Sequence, residues 1–430
     1  MTEINHQKTF DVAVIGGGVV GAMTALELAE QGASVIMLER GAELGWGCSA
    51  GNAGIVGASH VQPLATPAAV REGVRWMLQP DSPFSVRPRL AVIPWLTRFV
   101  ASATPAQVQR STATLQALAR RSATLHAELD RAGLDAGYRR GGLLDVFASD
   151  QALAAARAGA QGGLALTPAD VATVAPQLSD DLAGAILHSE EAHCDPLRFV
   201  LAVGAWAAEL GTHMRMRSEV LGVRRHGRRI SALETSDGKL LVDEVVLAAG
   251  VWSGRLAREL DVSLPLEGGK GYHVDLEAQA GDPGLPIWLH ESRVVITPLG
   301  ARVRLAGTLE LTGTDESIDQ RRVDAIVRAA IRAVPAFAGR PPLHVWRGLR
   351  PCTPDGLPII GRAPNLDNLT LATGHGMWGL QLAPLTAQLV ASIARGTQAE
   401  FDLSPLRPER FEPPWRPVST DASGARCSVK

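Results

Sequence analysis

Gly16, Gly18 and Gly21 stand in G-x-G-x-x-G spacing, directly after the apolar run of residues 11–15 and at the head of a helical pattern. Each answers a separate steric demand: a tight turn, close approach of the backbone to a pyrophosphate, and close packing of helix on strand. Val19 and Val20 fall in the first helical turn, where amide groups and the helix dipole face incoming negative charge. Glu39 follows the next apolar run, residues 34–38, and a carboxylate there can accept hydrogen bonds from a ribose diol. This is chemistry for holding a dinucleotide, chiefly by backbone.

Three further segments could meet the same ligand. Residues 48–54 read Cys-Ser-Ala-Gly-Asn-Ala-Gly, small enough for a flat ring to approach, with Ser49 and Asn52 as hydrogen-bonding groups. Residues 246–253 form a strand running into small residues around Ala249, Gly250 and Trp252. Gly374, His375 and Gly376 precede a helix and can aim amides at developing negative charge, such as the pyrimidine edge of a reduced flavin. Read singly, these are a loop, a strand end and a glycine-rich helix start. Read together, they fit one cofactor.

Other candidates are individually weaker. His290, His375, Trp288, Trp346 and Trp378 could line a pocket, though any one alone is more often a core or rim residue. Tyr138 and Tyr272 are the two tyrosines, and Tyr272 follows a Gly-Lys-Gly turn that could place its hydroxyl in a pocket. No G-x-S-x-G elbow is present, so acyl-transfer chemistry of that type is not indicated.

The elements that must position these groups follow from periodicity. A strand over 11–15, a helix to 31 and a strand over 34–38 form a βαβ opening, and the spacing predicts a long helix over 107–129. Shorter helices are predicted over 152–158, 168–174, 196–210, 321–333 and 384–395. Strands are predicted over 219–223, 230–235, 240–250 and 369–373, and short alternating runs between 264 and 310 mark an antiparallel sheet. The nucleotide-binding signals sit at the start, middle and end of the chain. We therefore expect a discontinuous nucleotide domain over 1–85, 187–262 and 345–410, a second domain over 86–186 and 263–344, and a tail over 411–430.

Composition narrows the class. With 42 basic against 44 acidic residues, the 430-residue chain has no polyanion-binding character, and nucleic acid is not expected as a partner. Cys48, Cys194, Cys352 and Cys427 are scattered, without zinc spacing, so neither a disulfide framework nor a metal site is expected. No apolar stretch has spanning length, and the first ten residues lack the apolar centre of a signal peptide. A cytoplasmic protein, at most peripheral on the inner face of the cell membrane, is the expectation.

The ordered set of the glycine fingerprint, CSAGNAG, VVLAAGVWS, GLRPCTPDGLPIIG and TGHGMWGLQLAP resembles FAD-dependent D-amino-acid oxidases and dehydrogenases. LEGGKGYHV, RVVITPLGARVRLAGTLELTGTD and VRPRLAVIPWLTRF are most similar to the bacterial dehydrogenases of that superfamily. The resemblance implies an α/β fold: a Rossmann-like FAD-binding domain (GR2-type) with an inserted antiparallel-sheet substrate domain. It implies non-covalent FAD, because Gly348 stands where covalent-flavin relatives carry cysteine.

Residue by residue, Glu39 and Arg40 would hold the adenosine ribose and Val220 would present its backbone to adenine. Cys48, Ser49, Asn52, Ala53 and Gly54 would lie along the flavin, and Ala249, Gly250 and Trp252 would close over the cofactor. Gly376, Met377, Trp378, Gly379 and Leu380 would meet the flavin pyrimidine edge. Arg350 would bind a substrate carboxylate, with His375 and Trp378 beside it. A tyrosine of glycine oxidases is replaced by Val295, leaving Tyr272 or His273 to serve instead.

The implied reaction is hydride transfer from the Cα of a D-amino acid, D-proline or hydroxyproline-like compounds included, to flavin N5, with no catalytic side chain. Quinone or oxygen would take the electrons. Trp95, Leu96, Phe99 and Val100 could form a peripheral membrane contact. Glycine or sarcosine oxidation is the nearest alternative; a nicotinamide-dependent enzyme or a non-catalytic dinucleotide-binding protein is the more distant one.

Overall fold

The computed structural model describes residues 10–76, 82–158 and 162–412. Phe10–Ile15 is buried along nearly its whole length and pairs in parallel with both Val35–Leu38 and Gly238–Leu247. Strands buried on both faces read as continuous apolar runs, and here the covering layer is helical. Val19–Glu30, Pro196–Glu209 and Gly379–Arg395 pack together in one apolar core against this sheet. The eight-stranded sheet runs in the order Val220–His226, Arg229–Thr235, Gly238–Leu247, Phe10–Ile15, Val35–Leu38, His213–Arg215. Leu369–Thr373 also joins Gly238–Leu247 in parallel and carries Ile359–Arg362 outside it.

A second, nine-stranded sheet is largely antiparallel. Next to its edge strand, Pro342–Cys352, lies Glu267–Glu277, which pairs on its other side with Arg302–Leu311. Beyond these come Val294–Leu299, Ile287–Leu289, Leu143–Phe147, Gly184–His188 and Leu164–Leu166, while Phe84–Val86 pairs with Arg302–Leu311. Gln320–Ala333 packs on this sheet. The mixed architecture is the α/β fold expected, with the antiparallel sheet where the alternating runs predict it.

Several elements differ from expectation. The last long helix begins at Gly379 and not at residue 384, with Pro384 inside it. Pro342–Cys352 is a strand with no clear sequence signal; prolines and a glycine interrupt it, which an edge position tolerates. It spans position 345, and its whole length pairs in the second sheet. Trp95 and Phe99 do not form a surface: they are 4% and 6% exposed, and Trp95 Nε1 donates to the Cys352 carbonyl. The exposed large apolar residues of that segment are Leu90, Ile93 and Val100. Among the described residues no helix is long and apolar enough to cross a membrane. The tail expected over 411–430 lies outside the described residues beyond Glu412.

The second sheet contains one irregularity that matters below. Lys270 stands opposite Glu310, but Tyr272 stands opposite Gly307, so Arg302–Leu311 carries one extra residue here. Thr308 absorbs it with φ +67°, a left-handed conformation that a β-branched residue rarely adopts.

Candidate active site

A cleft of about 1360 Å³, counting its open mouth, runs from the first sheet to the second. At its nucleotide end the walls are backbone. Gly16 has φ +111°, and a Cβ there would lie 2.6 Å from the Ala248 carbonyl. A Cβ on Gly21 would lie 1.9 Å from the Gly16 carbonyl, so Gly21 serves helix packing and does not line the cleft. Gly18 is different, because a Cβ there would meet only Ser49 Oγ, at 3.2 Å. The space above Gly18 is open to a ligand.

Side chains hold this backbone in place. Ser49 Oγ accepts from the Val19 amide at 3.0 Å. The Glu39 carboxylate accepts from the Gly17 and Gly41 amides at 2.7 and 2.6 Å, which fixes it beside the glycine turn. The Arg40 guanidinium lies 3.9 Å over the Trp252 ring, and Val19, Val20, Val220, Ala249 and Gly250 complete this part of the lining. Ser218, Glu219 and Arg255 line it too, and no motif singled them out.

The far end is built from side chains on the second sheet. Arg350 rises from Pro342–Cys352, and its guanidinium occupies the space a Cβ on Gly271 would need, 2.2 Å from Nη1. Glycine at 271 is therefore the floor on which the cation lies. Arg350 Nη1 donates to the carbonyl of Thr308, the bulge residue, at 2.8 Å. No carboxylate among the described residues pairs with it, and burial draws its pKa below the ordinary guanidinium value. A guanidinium nevertheless remains charged in proteins. Cys48 lies near enough to feel this charge, but burial dominates and raises its thiol pKa, so the sulfur stays protonated.

A second cavity, about 1500 Å³ with its open mouth, adjoins the cleft, and Asn52 and Arg350 line both. Asn52 is locked by its own contacts: Nδ2 donates to the Met377 carbonyl at 3.1 Å and Oδ1 accepts from the Gly54 amide at 2.9 Å. Buried Arg304 donates to the Ala50 and Asn52 carbonyls while forking onto Asp275, which pins this loop to the second sheet. Trp288, Trp378, Phe84, Leu64 and Val295 give the second cavity a mainly apolar wall.

The residues singled out from sequence divide between these regions. Gly16, Gly18, Glu39, Arg40, Cys48, Ser49, Val220, Ala249, Gly250, Trp252, His375, Gly376, Gly379 and Leu380 line the cleft. Ala53, Met377 and Trp378 line the second cavity and not the cleft. Gly54 lines neither; a Cβ there would lie 2.4 Å from the Cys194 carbonyl, so the missing side chain is what lets the two segments pack. Trp346 lines the cleft, whereas His290 lines neither region.

Two expectations are corrected. Tyr272 is 1% exposed, donates to Glu310 Oε2 at 2.5 Å and faces the sheet core. Alternation explains this, since Gly271 points at Arg350 and its neighbours must point away. His273 lines neither cavity; it stacks on Trp346 at 5.0 Å and braces that ring. Burial, reinforced by Arg304, pushes His273 down to about 3, and burial pushes His375 down to about 4, so both rings are neutral near pH 7. His375 holds Thr386 Oγ1 at 3.1 Å through Nε2.

A glycine-walled arm thus opens onto a chamber, with Arg350 held at the junction of the two. The chain belongs to the FAD dependent oxidoreductase family, whose model matches residues 11–393. It is an FAD-dependent oxidoreductase, and the open space above Gly18 and the fixed Glu39 carboxylate suit the dinucleotide. The nicotinamide-dependent and non-catalytic alternatives fall with this membership.

Among its relatives is a D-amino acid dehydrogenase of Paramagnetospirillum magneticum, 32% identical over 416 residues, which cover 93% of this chain and 98% of the relative. A D-amino-acid oxidase of Bradyrhizobium diazoefficiens is 29% identical over 417 residues, covering 93% and 98%. The crystal structure of glycine oxidase from Geobacillus kaustophilus matches with a TM-score of 0.72 at 25% identity, over 93% of this chain and 98% of that one.

Proposed function

We propose that the chain oxidises a D-amino acid at Cα to the imino acid. The observation that carries this reading is Arg350, a cation without a carboxylate partner among the described residues, at the junction of cofactor cleft and second cavity. Bound FAD supplies the two-electron oxidant for the Cα–H bond.

The residues of the chain position the substrate. The Arg350 fork grips the carboxylate with parallel charge-assisted hydrogen bonds. Thr308 and Gly271 fix where that fork lies, and the second cavity receives the side chain. With carboxylate and side chain both placed, one enantiomer directs its hydrogen toward the ring. The half-buried Cys48 thiol stays protonated and takes no proton, so the work is chiefly orientation. The imino acid leaves for hydrolysis by water to a keto acid and ammonia; a cyclic substrate such as D-proline leaves as its cyclic imine.

The size of the second cavity favours a substrate with a side chain over glycine or sarcosine, which would leave it unfilled. FAD is held without a covalent bond: a Cβ on Gly348 would lie 2.0 Å from the Trp346 ring, which leaves no room for a tethering side chain. Acid precipitation therefore releases all flavin into the supernatant. A quinone is the proposed acceptor in preference to oxygen, in keeping with relatives named as dehydrogenases. Purified enzyme tested anaerobically with a dye acceptor should turn over D-alanine, D-proline and larger apolar D-amino acids faster than glycine or the L-enantiomers. Preference for glycine or for an L-amino acid would overturn the reading, and equal turnover with oxygen and a soluble quinone would overturn the acceptor assignment.

A further inference from the structure

One face of the second sheet carries a cluster that borders the second cavity at His60 and Trp288 and has no assigned part in the proposed oxidation. Asp145 stands opposite Ile186 on one side and Trp288 on the other, and His188 lies two residues beyond Ile186. Residues paired across strands share a face, as do residues two apart, so Asp145, His188 and Trp288 all project on the same side. His60 enters from the loop after Ile55–Val56 and stacks on Trp288 at 4.9 Å between ring centroids. Its Nε2 lies 3.4 Å from Asp145 Oδ2. One donor atom from each of His60, Asp145 and His188 lies within 4.8 Å of the other two.

We propose that His60, Asp145 and His188 form a binding site for a divalent transition-metal ion of the Zn²⁺ type. Ligand atoms about 2.0–2.1 Å from a tetrahedral ion stand roughly 3.3 Å apart, the spacing already held by His60 and Asp145. Among the described residues no hydrogen bond fixes the His188 ring, so it can close the remaining gap by rotation about its side-chain bonds. Two imidazoles and one carboxylate are a borderline donor set, suited to Zn²⁺, Co²⁺ or Ni²⁺ and not to Mg²⁺ or Ca²⁺.

Independent features point the same way. Asp145 is 6% exposed, and its Oδ1 has no hydrogen-bond partner, with His290 Nδ1 standing off at 3.5 Å. A buried carboxylate left short of partners is costly unless something else satisfies it. His60 is oriented from behind, because Nδ1 is held by Ser59 Oγ at 2.7 Å, leaving Nε2 to face the cluster. The loop itself is gripped by Glu191, which accepts from the Ala58 and Ser59 amides at 3.0 and 2.9 Å. An entry path exists too: His188 lines a groove of its own, while His60 lines the second cavity. No local spacing could reveal the set, since His60 and Asp145 are 85 residues apart.

The test uses the FAD-loaded enzyme, stripped with a chelator and titrated with Zn²⁺ by calorimetry, with metal content measured after desalting. The expected result is one saturable Zn²⁺ per chain. His188→Ala and Asp145→Asn should each weaken it by about 100-fold or more, with FAD content retained. His226→Ala, an exposed histidine on another sheet, should leave affinity unchanged. Absence of a saturable site, or full-affinity binding in either substituted protein, overturns the proposal. Should one variant fail to hold FAD, the other decides alone.

Discussion

The two ends of the cleft are built from different materials. At the nucleotide end the ligand faces main chain, and the informative residues are those that have no side chain to offer: Gly16 and Gly18. At the other end, where the proposed amino acid would bind, the Arg350 guanidinium is placed by a floor at Gly271, a carbonyl at Thr308 and a neighbouring strand. A backbone site tolerates little variation in the residues that form it but serves any molecule with the same phosphate arm. A side-chain site carries selectivity, and its geometry depends on the register of strands far apart in sequence.

The comparison breaks most visibly at the glycines. Gly18→Val should abolish FAD binding while the apoprotein keeps its fold, because the new side chain meets the ligand space and only Ser49 Oγ. Gly21→Val should lose both, since its Cβ must enter the Gly16 carbonyl. Flavin absorbance and melting temperature separate the outcomes; Gly18→Val that still binds FAD would mean the dinucleotide lies elsewhere.

Next in size is the cation. Truncating one partner of a desolvated charge pair costs about 2–5 kcal/mol, so Arg350→Ala should lower kcat/KM by about 30-fold to several thousandfold with FAD content normal. Arg350→Lys should recover part of that, because charge survives and the fork does not. Steady-state kinetics on a D-amino acid check both, and an unchanged kcat/KM in Arg350→Ala would place the anchor elsewhere.

Gly271→Ala sharpens the contrast without touching charge. The added methyl falls on the guanidinium, and displacement of a positioning group by about 1 Å can cost on the order of 100-fold. Activity should fall while flavin binding holds. Equal activity in Gly271→Ala would show that the fork is free to move.

The smallest effect is one of pH. Burial pushes His126, which holds the Leu380 carbonyl, down to about 4, and pushes His375 down to about 4 as well. The unfolded chain binds these protons near pH 6.5 and the folded chain does not. Stability is therefore fully present above pH 6.5 and is lost as pH falls toward 4, by about 2 kcal/mol per histidine at pH 5. His126→Gln should flatten the decline in melting temperature between pH 7 and 5. A parallel decline would assign the loss to other groups.

The nucleotide end was legible because its contacts are nearly local. The turn at Gly16, the helix from Val19 and the acid at Glu39 fall within one βαβ unit, and the strand predicted over 11–15 is Phe10–Ile15. Arg350 was singled out through family resemblance alone, and it stands at the junction of the cleft and the second cavity. Tyr272 was expected in a pocket because a turn precedes it, but strand alternation gave that face to Gly271. Thr308 and Arg304 carried no signal at all, since a bulge and a buried ion pair exist only once three strands are in register. Pro384 hid the first turns of its helix for a simpler reason: a proline there reads as a start.

The tether of Arg350 to the Thr308 carbonyl has an evolutionary corollary. Every residue type brings a carbonyl, so a substitution at 308 that keeps the left-handed backbone keeps the tether, whereas proline, locked at a φ of about −65°, would turn it away. The side chain at 308 is thereby released to drift toward whatever shape the second cavity requires, within the limits of its left-handed backbone. What the lineage cannot accept is a change of length: one codon lost or gained between Gly307 and Glu310 would remove the bulge or double it and turn the carbonyl away. The position of the guanidinium is thus set by strand spacing more than by the identity of the side chain at 308.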